Sequence, residues 1–202
     1  MNCSGAQLTL SADERPRKPI SMIQGAKVLL RAMTRDDLPR LCQFNNDIAV
    51  ELAGGGDPPM PQSLARLEAE FDAQVGGGGR DGTGFAIEAD GQLIGQCALF
   101  NVNAVNRTAE LGITIGDKAY WGRGYGSETI TLLIDYGFRH HNLHRIYLSV
   151  NGDNDRAIGA YQRCGFVAEG RLRSHVWSNG RYIDLLYMGI LQSEWLLRQN
   201  AT

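Results

Sequence analysis

The chain has 202 residues, 43% of them apolar and 21% charged, with a formal net charge of −2. That composition can bury one sizeable core and excludes bulk disorder. The near-balanced charge argues against a general nucleic-acid or anionic-membrane binder, and no apolar run approaches the ~20 residues of a spanning helix.

Residues 1–24 have no apolar stretch after a basic start, so they do not read as a secretory signal. With Pro16, Pro19 and the charges Asp13, Glu14, Arg15, Arg17 and Lys18, they read as a mobile N-terminal arm. Val28 to Met33 reads as the first strand. Thr34, followed by Asp36 and Asp37, is a helix start: a capping hydroxyl, then acids near the positive end of the dipole. Leu38, Leu41, Cys42 and Asn45 share one side of a helix ending near Asn46, and Pro39 is tolerated in its first turn. Leu52 to Gln62, with Gly54 to Gly56 and Pro58-Pro59, reads as a loop. Ser63 to Val75 reads as a second helix, with Leu64, Leu67 and Phe71 at helical spacing. Gly76 to Gly79 is a second flexible connection. Neither glycine run leads from a strand into a helix, so both read as linkers.

Phe85 to Ala89 and Leu93 to Asn101 flank Asp90-Gly91, a hairpin with a two-residue turn. Thr108 to Ile115 is the next strand, with Leu111, Ile113 and Ile115 on one face and Glu110, Gly112 and Thr114 on the other. Gly122, Gly124 and Gly126 precede a helix over Thr129 to His140 whose apolar stripe is Ile130, Leu133, Ile134 and Phe138. Arg145 to Val150 is a short buried strand. Asp155 to Cys164 is a helix closed by Gly165. Phe166 to Trp177 and Tyr182 to Leu191 make a closing hairpin about Ser178-Asn179-Gly180. The order β-α-α-β-β-β-α-β-α-β-β predicts an α/β (α+β) domain, a mixed seven-stranded sheet with about four helices, over residues 25–192. Residues 193–202 are left as a C-terminal tail.

Cys3, Cys42, Cys97 and Cys164 are far apart and form no C-x-x-C pair, which fits reduced thiols in a cytoplasmic protein. His140, His141, His144 and His175 form no metal-binding spacing, so no metal is expected.

The sharpest signal is Tyr120-Trp121-Gly122-Arg123-Gly124-Tyr125-Gly126-Ser127-Glu128, which joins a strand to a helix. Backbone N–H groups at a helix start lack intrahelical partners and carry the positive dipole end. Glycines let a phosphate approach that backbone closely. The dinucleotide fingerprint fails because Ser127 stands at the third glycine position, and no Gly-Lys-[Ser/Thr] completes a P-loop.

The turn resembles the loop [Arg/Gln]-x-x-Gly-x-[Gly/Ala] of the GNAT superfamily of acyl-CoA N-acyltransferases. Gly124 and Gly126 take the two glycine positions, and Trp121 stands where Gln or Arg is usual. A second stretch, from Asn151 through Asn154, Arg156, Ile158 and Tyr161 to Gly165-Phe166, is similar to the family's N-x-x-N…Tyr-x-x-x-Gly-Phe segment. The resemblance runs from about Lys27 to Leu191. It points to the branch with ribosomal-protein N-terminal and spermidine acetyltransferases.

The resemblance implies a single GNAT-like domain with a mostly antiparallel sheet. It also implies transfer of acetyl from acetyl-CoA to a primary amine, of a small molecule such as a polyamine or of a peptide N-terminus. A homodimer is compatible with it. The alternative is a non-catalytic acyl-CoA sensor. The backbone of Arg123, Gly124, Tyr125, Gly126 and Ser127 would hold the coenzyme diphosphate. Thr114 and Ile115 would pair through backbone groups with the pantetheine amides, and Asn154 would hydrogen-bond the pantetheine or the substrate.

The chemistry needs a neutral amine, and an amine with pKa of roughly 10.4 must first lose a proton. Glu110 is the candidate base, standing at the spacing before the phosphate loop at which the histone-acetylating branch carries one. A water chain or Glu51 remains an alternative. Tyr161 is the candidate acid for the departing thiolate. Asp47, Glu51 and Asp57 would give the acceptor side an acidic lining.

Overall fold

The computed structural model describes residues 21–54, 59–77 and 82–200. Its strands are β1 (Ser21–Gln24), β2 (Leu29–Arg31), β3 (Gly82–Ala89), β4 (Gln92–Asn103), β5 (Thr108–Ile115), β6 (Arg145–Asn151), β7 (Val167–Ser178) and β8 (Arg181–Leu191). Its helices are α1 (Leu38–Asn45), α2 (Ile48–Gly54), α3 (Leu64–Gly77), α4 (Tyr125–His140), α5 (Asp155–Cys164) and α6 (Gln192–Asn200). The strands form one sheet in the order β1-β2-β3-β4-β5-β6-β8-β7. Every neighbouring pair is antiparallel except β5–β6.

The hairpin turns follow from their residues. Asp90 and Gly91 both take positive φ, 52° and 73°, as do Asn179 and Gly180 at 47° and 79°, the geometry of a primed turn. One sheet face packs on α4, where Ile130, Leu133, Ile134 and Phe138 meet Leu30, Ile87, Leu99, Leu111, Ile146 and Ile190. The opposite face carries α1 and α3, through Leu38, Leu41, Phe44 and Leu67 against Ala86 and Leu93.

A buried ion pair locks the entry to α1. The Arg31 guanidinium donates to both Asp37 carboxylate oxygens at 2.7 and 2.8 Å, and its Nε donates to Glu88 at 2.6 Å. Thr34 N–H and hydroxyl also donate to Asp37. Burial alone would raise the Asp37 pKa, but the Arg31 and Thr34 hydrogen bonds outweigh it and hold the carboxyl below its ordinary value.

Several expectations are corrected. The sheet has eight strands, because Ser21–Gln24, expected in the mobile arm, pairs with β2. Leu52 to Gly54, expected in a loop, ends α2, whose Ala49 N–H is capped by the Asp47 carboxylate at 3.0 Å. α2 has 7 residues and alternates Ile48, Val50 and Leu52, so no helical period is legible in it. Gly76 and Gly77 belong to α3, while the rest of both glycine runs lies outside the described residues, apart from Gly54. α4 begins at Tyr125 instead of Thr129, its glycine-rich first turn being held by packing of the buried Tyr125 ring. The expected tail contains α6, anchored by Trp195 against Phe138 at 5.5 Å between ring centroids.

Candidate active site

β5 and β6 part company partway along. They pair only from Thr108↔Arg145 to Glu110↔Tyr147, although β5 runs on to Ile115 and β6 to Asn151. The strands therefore open a wedge in the sheet, and a cleft of about 870 Å³, open to solvent, fills it. Ile113, Thr114 and Ile115 line one wall; Ser149 and Val150 line the other. Trp121, Gly122, Gly124, Gly126 and Ser127 of the turn and the α5 residues Ala157, Ala160 and Tyr161 form one end, and Val50, Ala53 and Gly54 of α2 cover one side.

Strand periodicity decides which backbone groups face this wedge. Ile115 faces it, since its carbonyl accepts from Trp121 Nε1 at 2.6 Å. Two residues back, Ile113 faces it too. Thr114 turns its carbonyl to the other edge, where it lies beside Gly95 of β4. The expectation of Thr114 as a backbone partner is thus corrected. Its side of the strand is taken by β4, and Ile113, which sequence reading missed, presents the free groups. The Ile115 carbonyl is already engaged by the indole, so Trp121 does not merely lack the usual polar side chain but ties the turn to the end of β5.

The turn itself fits an anion. Gly122 and Gly124 have φ of 70° and 90°, and Gly124 is the N-cap of α4. A side chain at Gly124 would be strained, and its Cβ would stand 3.3 Å from Lys27 Nζ. Glu128 N–H makes the helix's first bond, to Gly124 O at 3.0 Å. The N–H groups of Tyr125, Gly126 and Ser127 precede it and have no acceptor within the helix. Among the expected diphosphate residues, Gly124, Gly126 and Ser127 line the cleft. Tyr125 lies buried beneath the turn. The Arg123 side chain folds back over the Tyr120 and Tyr125 rings at 5.9 and 5.7 Å.

Four cations gather at this end: Lys27, Arg123, Arg156 and Arg163. Lys27 Nζ donates to Arg123 O at 3.1 Å, and the Arg156 guanidinium stacks 3.8 Å from the Trp121 ring centroid. The Glu128 carboxylate, in the first turn of α4, accepts from the N–H groups of Ala26 and Lys27 and so fastens the β1–β2 turn to the helix head. The capping hydrogen bonds of Glu128 and the stacking of Arg156 depend on partners about 100 and 35 residues distant, which no local pattern reveals.

The two expected catalytic residues stand apart. Tyr161 lines the cleft and is 7% exposed; burial, helped by nearby Cys164, pushes its phenol up to about 12. Glu110 does not line the cleft. It stands at the closed end of the wedge, in register with Tyr147, and its carboxylate accepts from Asn101 Nδ2 at 2.9 Å. Glu110 and Thr114 share a strand face about 13 Å apart. Burial, and then the Glu110 charge, raise the Tyr147 phenol above its ordinary value.

Of the acids expected to line an acceptor side, Asp47 is paired with Lys118, and Asp57 lies outside the described residues. Glu51, half-buried on α2, has no ion pair among the described residues, and burial raises its carboxyl above the ordinary value. Asn154 lines the cleft; its Oδ1 accepts from Ala157 N–H at 3.1 Å, and Nδ2 donates one of its two hydrogens to Ala53 O at 2.7 Å. No group of three or more metal-ligating side chains is found among the described residues.

Comparison with known proteins agrees with this geometry. The family model described as an acetyltransferase (GNAT) domain matches residues 27–167. The chain is similar to spermidine N(1)-acetyltransferase of Vibrio cholerae, 34% identical over 174 residues, covering 86% of this chain and 98% of that one. The Escherichia coli K12 spermidine N(1)-acetyltransferase is 32% identical over 169 residues, covering 84% and 88%. The crystal structure of the Vibrio cholerae spermidine N-acetyltransferase in complex with CoA and spermine superposes with a TM-score of 0.77 at 34% identity, over 85% of this chain and 99% of that one.

Proposed function

We propose, since this chain belongs to the GNAT acetyltransferase family and acetylates an amine with acetyl-CoA as donor, that its acceptor is a terminal primary amine of a small polycation such as spermidine. The observation that carries this reading is the polarity of the wedge. Lys27, Arg123, Arg156 and Arg163 surround the turn at one end, and Glu110 stands at the closed end. An anionic coenzyme and a cationic acceptor are each drawn to opposite ends of it. Glu51, with no ion pair among the described residues, adds a second carboxylate beside the α2 wall.

In this reading the amides of Tyr125, Gly126 and Ser127 hold the diphosphate. The free groups of Ile113, with the Ile115 N–H, take the pantetheine as an added half-strand would. Glu110 accepts the ammonium proton through water, since it stands behind the cleft wall. Tyr161 donates a hydrogen bond to the sulfur as the thiolate departs. The coenzyme supplies an acyl group already activated as a thioester, so no side chain acts as a nucleophile.

Trp177 and Tyr182, 56% and 64% exposed on the β7–β8 hairpin, support a homodimer that covers them. The free thiols Cys42, Cys97 and Cys164 support a cytoplasmic setting. No described helix is long and apolar enough to cross a membrane.

The test is a thiol-release screen over spermidine, spermine, aminoglycosides, amino acids and short peptides with free N-termini. Polyamines should return the highest kcat/KM. Turnover confined to peptides would overturn the acceptor assignment.

A further inference from the structure

The sheet face opposite α4 is covered by α1 and α3 at one end, over Ala86 and Leu93. Further along that face a Cβ built on Gly84 would meet nothing within 4 Å among the described residues. Phe100 and Tyr187 are 37% and 38% exposed there. Strand register fixes what this open stretch displays, because residues directly opposite one another share a face. Phe100 of β4 stands opposite Glu110 of β5, and Glu110 stands opposite Tyr147 of β6. Glu110 therefore lies between two aromatic residues, each one strand spacing of ~5 Å away. Tyr187 of β8 stands opposite Ser149, which follows Tyr147 on the same face of β6.

The Phe100 ring leans over Gly112, where a Cβ would stand 2.9 Å from the ring edge. Thr114, the next residue on that face of β5, lines the coenzyme cleft. The ring thus spans the stretch between Glu110 and the cleft. Asn101 holds one oxygen of the Glu110 carboxylate at 2.9 Å, and Glu110 forms no ion pair among the described residues. Arg145, on the same face, lies 5.8 Å from the Tyr147 ring centroid, but its charge is matched by Glu169. What this strip offers is one unneutralised carboxylate flanked by aromatic rings. A carboxylate complements an ammonium charge, ring faces attract the cation, and their apolar area covers the methylenes beside it.

We propose that Phe100 and Tyr147, on either side of Glu110 and with Tyr187 beside them, form the seat of an alkylammonium group of the acceptor. The inference rests on the acetyl-transfer reading above and adds the residues that select an aliphatic amine. The rings act through their faces, so the seat depends on aromatic character and not on the phenol oxygens.

Phe100→Leu and Tyr187→Leu keep apolar bulk at partly exposed positions but remove the ring faces. Phe100→Tyr and Tyr187→Phe keep them. Steady-state kinetics with spermidine should show the acceptor KM raised roughly 3- to 30-fold in each leucine variant and near the wild-type value in the two aromatic ones. The kcat, and the acetyl-CoA Kd from calorimetry, should stay within about twofold in all four. A second measurement needs no turnover: propylamine, cationic at neutral pH, is titrated into the coenzyme-free protein and followed by nuclear magnetic resonance. The ring signals of Phe100, Tyr147 and Tyr187 should shift in the wild type, and the Tyr147 shift should weaken in Phe100→Leu. Rings that do not respond to propylamine, leucine variants with an unchanged acceptor KM, or an acetyl-CoA Kd that rises with that KM would each overturn the seat. A wild type that turns over no polyamine refutes the acceptor reading, and the propylamine titration still decides this one.

Discussion

Tyr161→Phe removes one oxygen from the wall of the cleft and tests what that oxygen does. The phenol is 7% exposed, and burial pushes it up to about 12. Burial raises a thiol in the same direction as the phenol, as it does for Cys97 and Cys164, so the phenol and a thiolate departing in the same cleft stay matched. The expected acid and a neutral hydrogen-bond donor are then the two forms of one contact, the phenol O–H aimed at the sulfur. A hydrogen bond to a charged group contributes about 1.5–3 kcal/mol, so the variant should lose roughly 10- to 150-fold in kcat. In the proposed reading the glycine turn sets acetyl-CoA affinity, so that affinity should hold. The sign with pH is definite: a raised phenol stays neutral throughout the working range, so the ratio of wild-type to variant kcat should be flat from about pH 6 to 10. The assay is thiol release at saturating amine and acetyl-CoA, with calorimetry for the coenzyme. An unchanged kcat would mean that the phenol does not meet the sulfur. A ratio that collapses between about pH 8 and 10 would mean that the phenol titrates there, and the burial argument would fail.

Glu110→Gln keeps the size of the side chain and its hydrogen-bonding reach toward Asn101 but removes the proton acceptor. Turnover should fall by roughly 10²- to 10⁴-fold with acetyl-CoA affinity unchanged, and near-normal turnover over about pH 6–9 would remove Glu110 from the mechanism. Asp37→Asn probes the buried pair with Arg31. Leaving Arg31 with only Glu88 should cost ~3 kcal/mol at pH 7, or roughly 6 to 12 °C in Tm. The folded pKa of Asp37 lies below its unfolded value, so the wild-type advantage is complete above about pH 4 and fades as pH falls through the folded pKa. Urea unfolding at about pH 7 and pH 3 reads this directly; an equal gap at both would refute the electrostatic account.

Legibility in the sequence tracked the range of the interactions. Asp90-Gly91 and Asn179-Gly180 set their hairpin turns from adjacent residues alone. The stripe Ile130, Leu133, Ile134, Phe138 marked the buried face of α4, and Gly165, at φ 104°, ended α5 where expected. The glycine turn was readable for the same reason: the unpaired amides at the head of α4 belong to one short segment.

What the tertiary structure alone decided lies between segments far apart in the chain. α2 is too short to announce itself by periodicity, and it stands because Asn154, Asp47 with Lys118, and the packing of Val50 hold it. α6 and β1 likewise depend on distant partners, Phe138 for one and β2 for the other. The choice of Ile113 over Thr114 as the residue whose backbone faces the wedge required knowing which edge β4 already occupies. The wedge itself exists because β5 and β6 pair over only three positions, Thr108–Arg145 to Glu110–Tyr147, and then diverge. Local residue preferences fix turns, caps and faces, but where two strands separate is set by everything packed around them, and that information is not carried by either strand's own sequence.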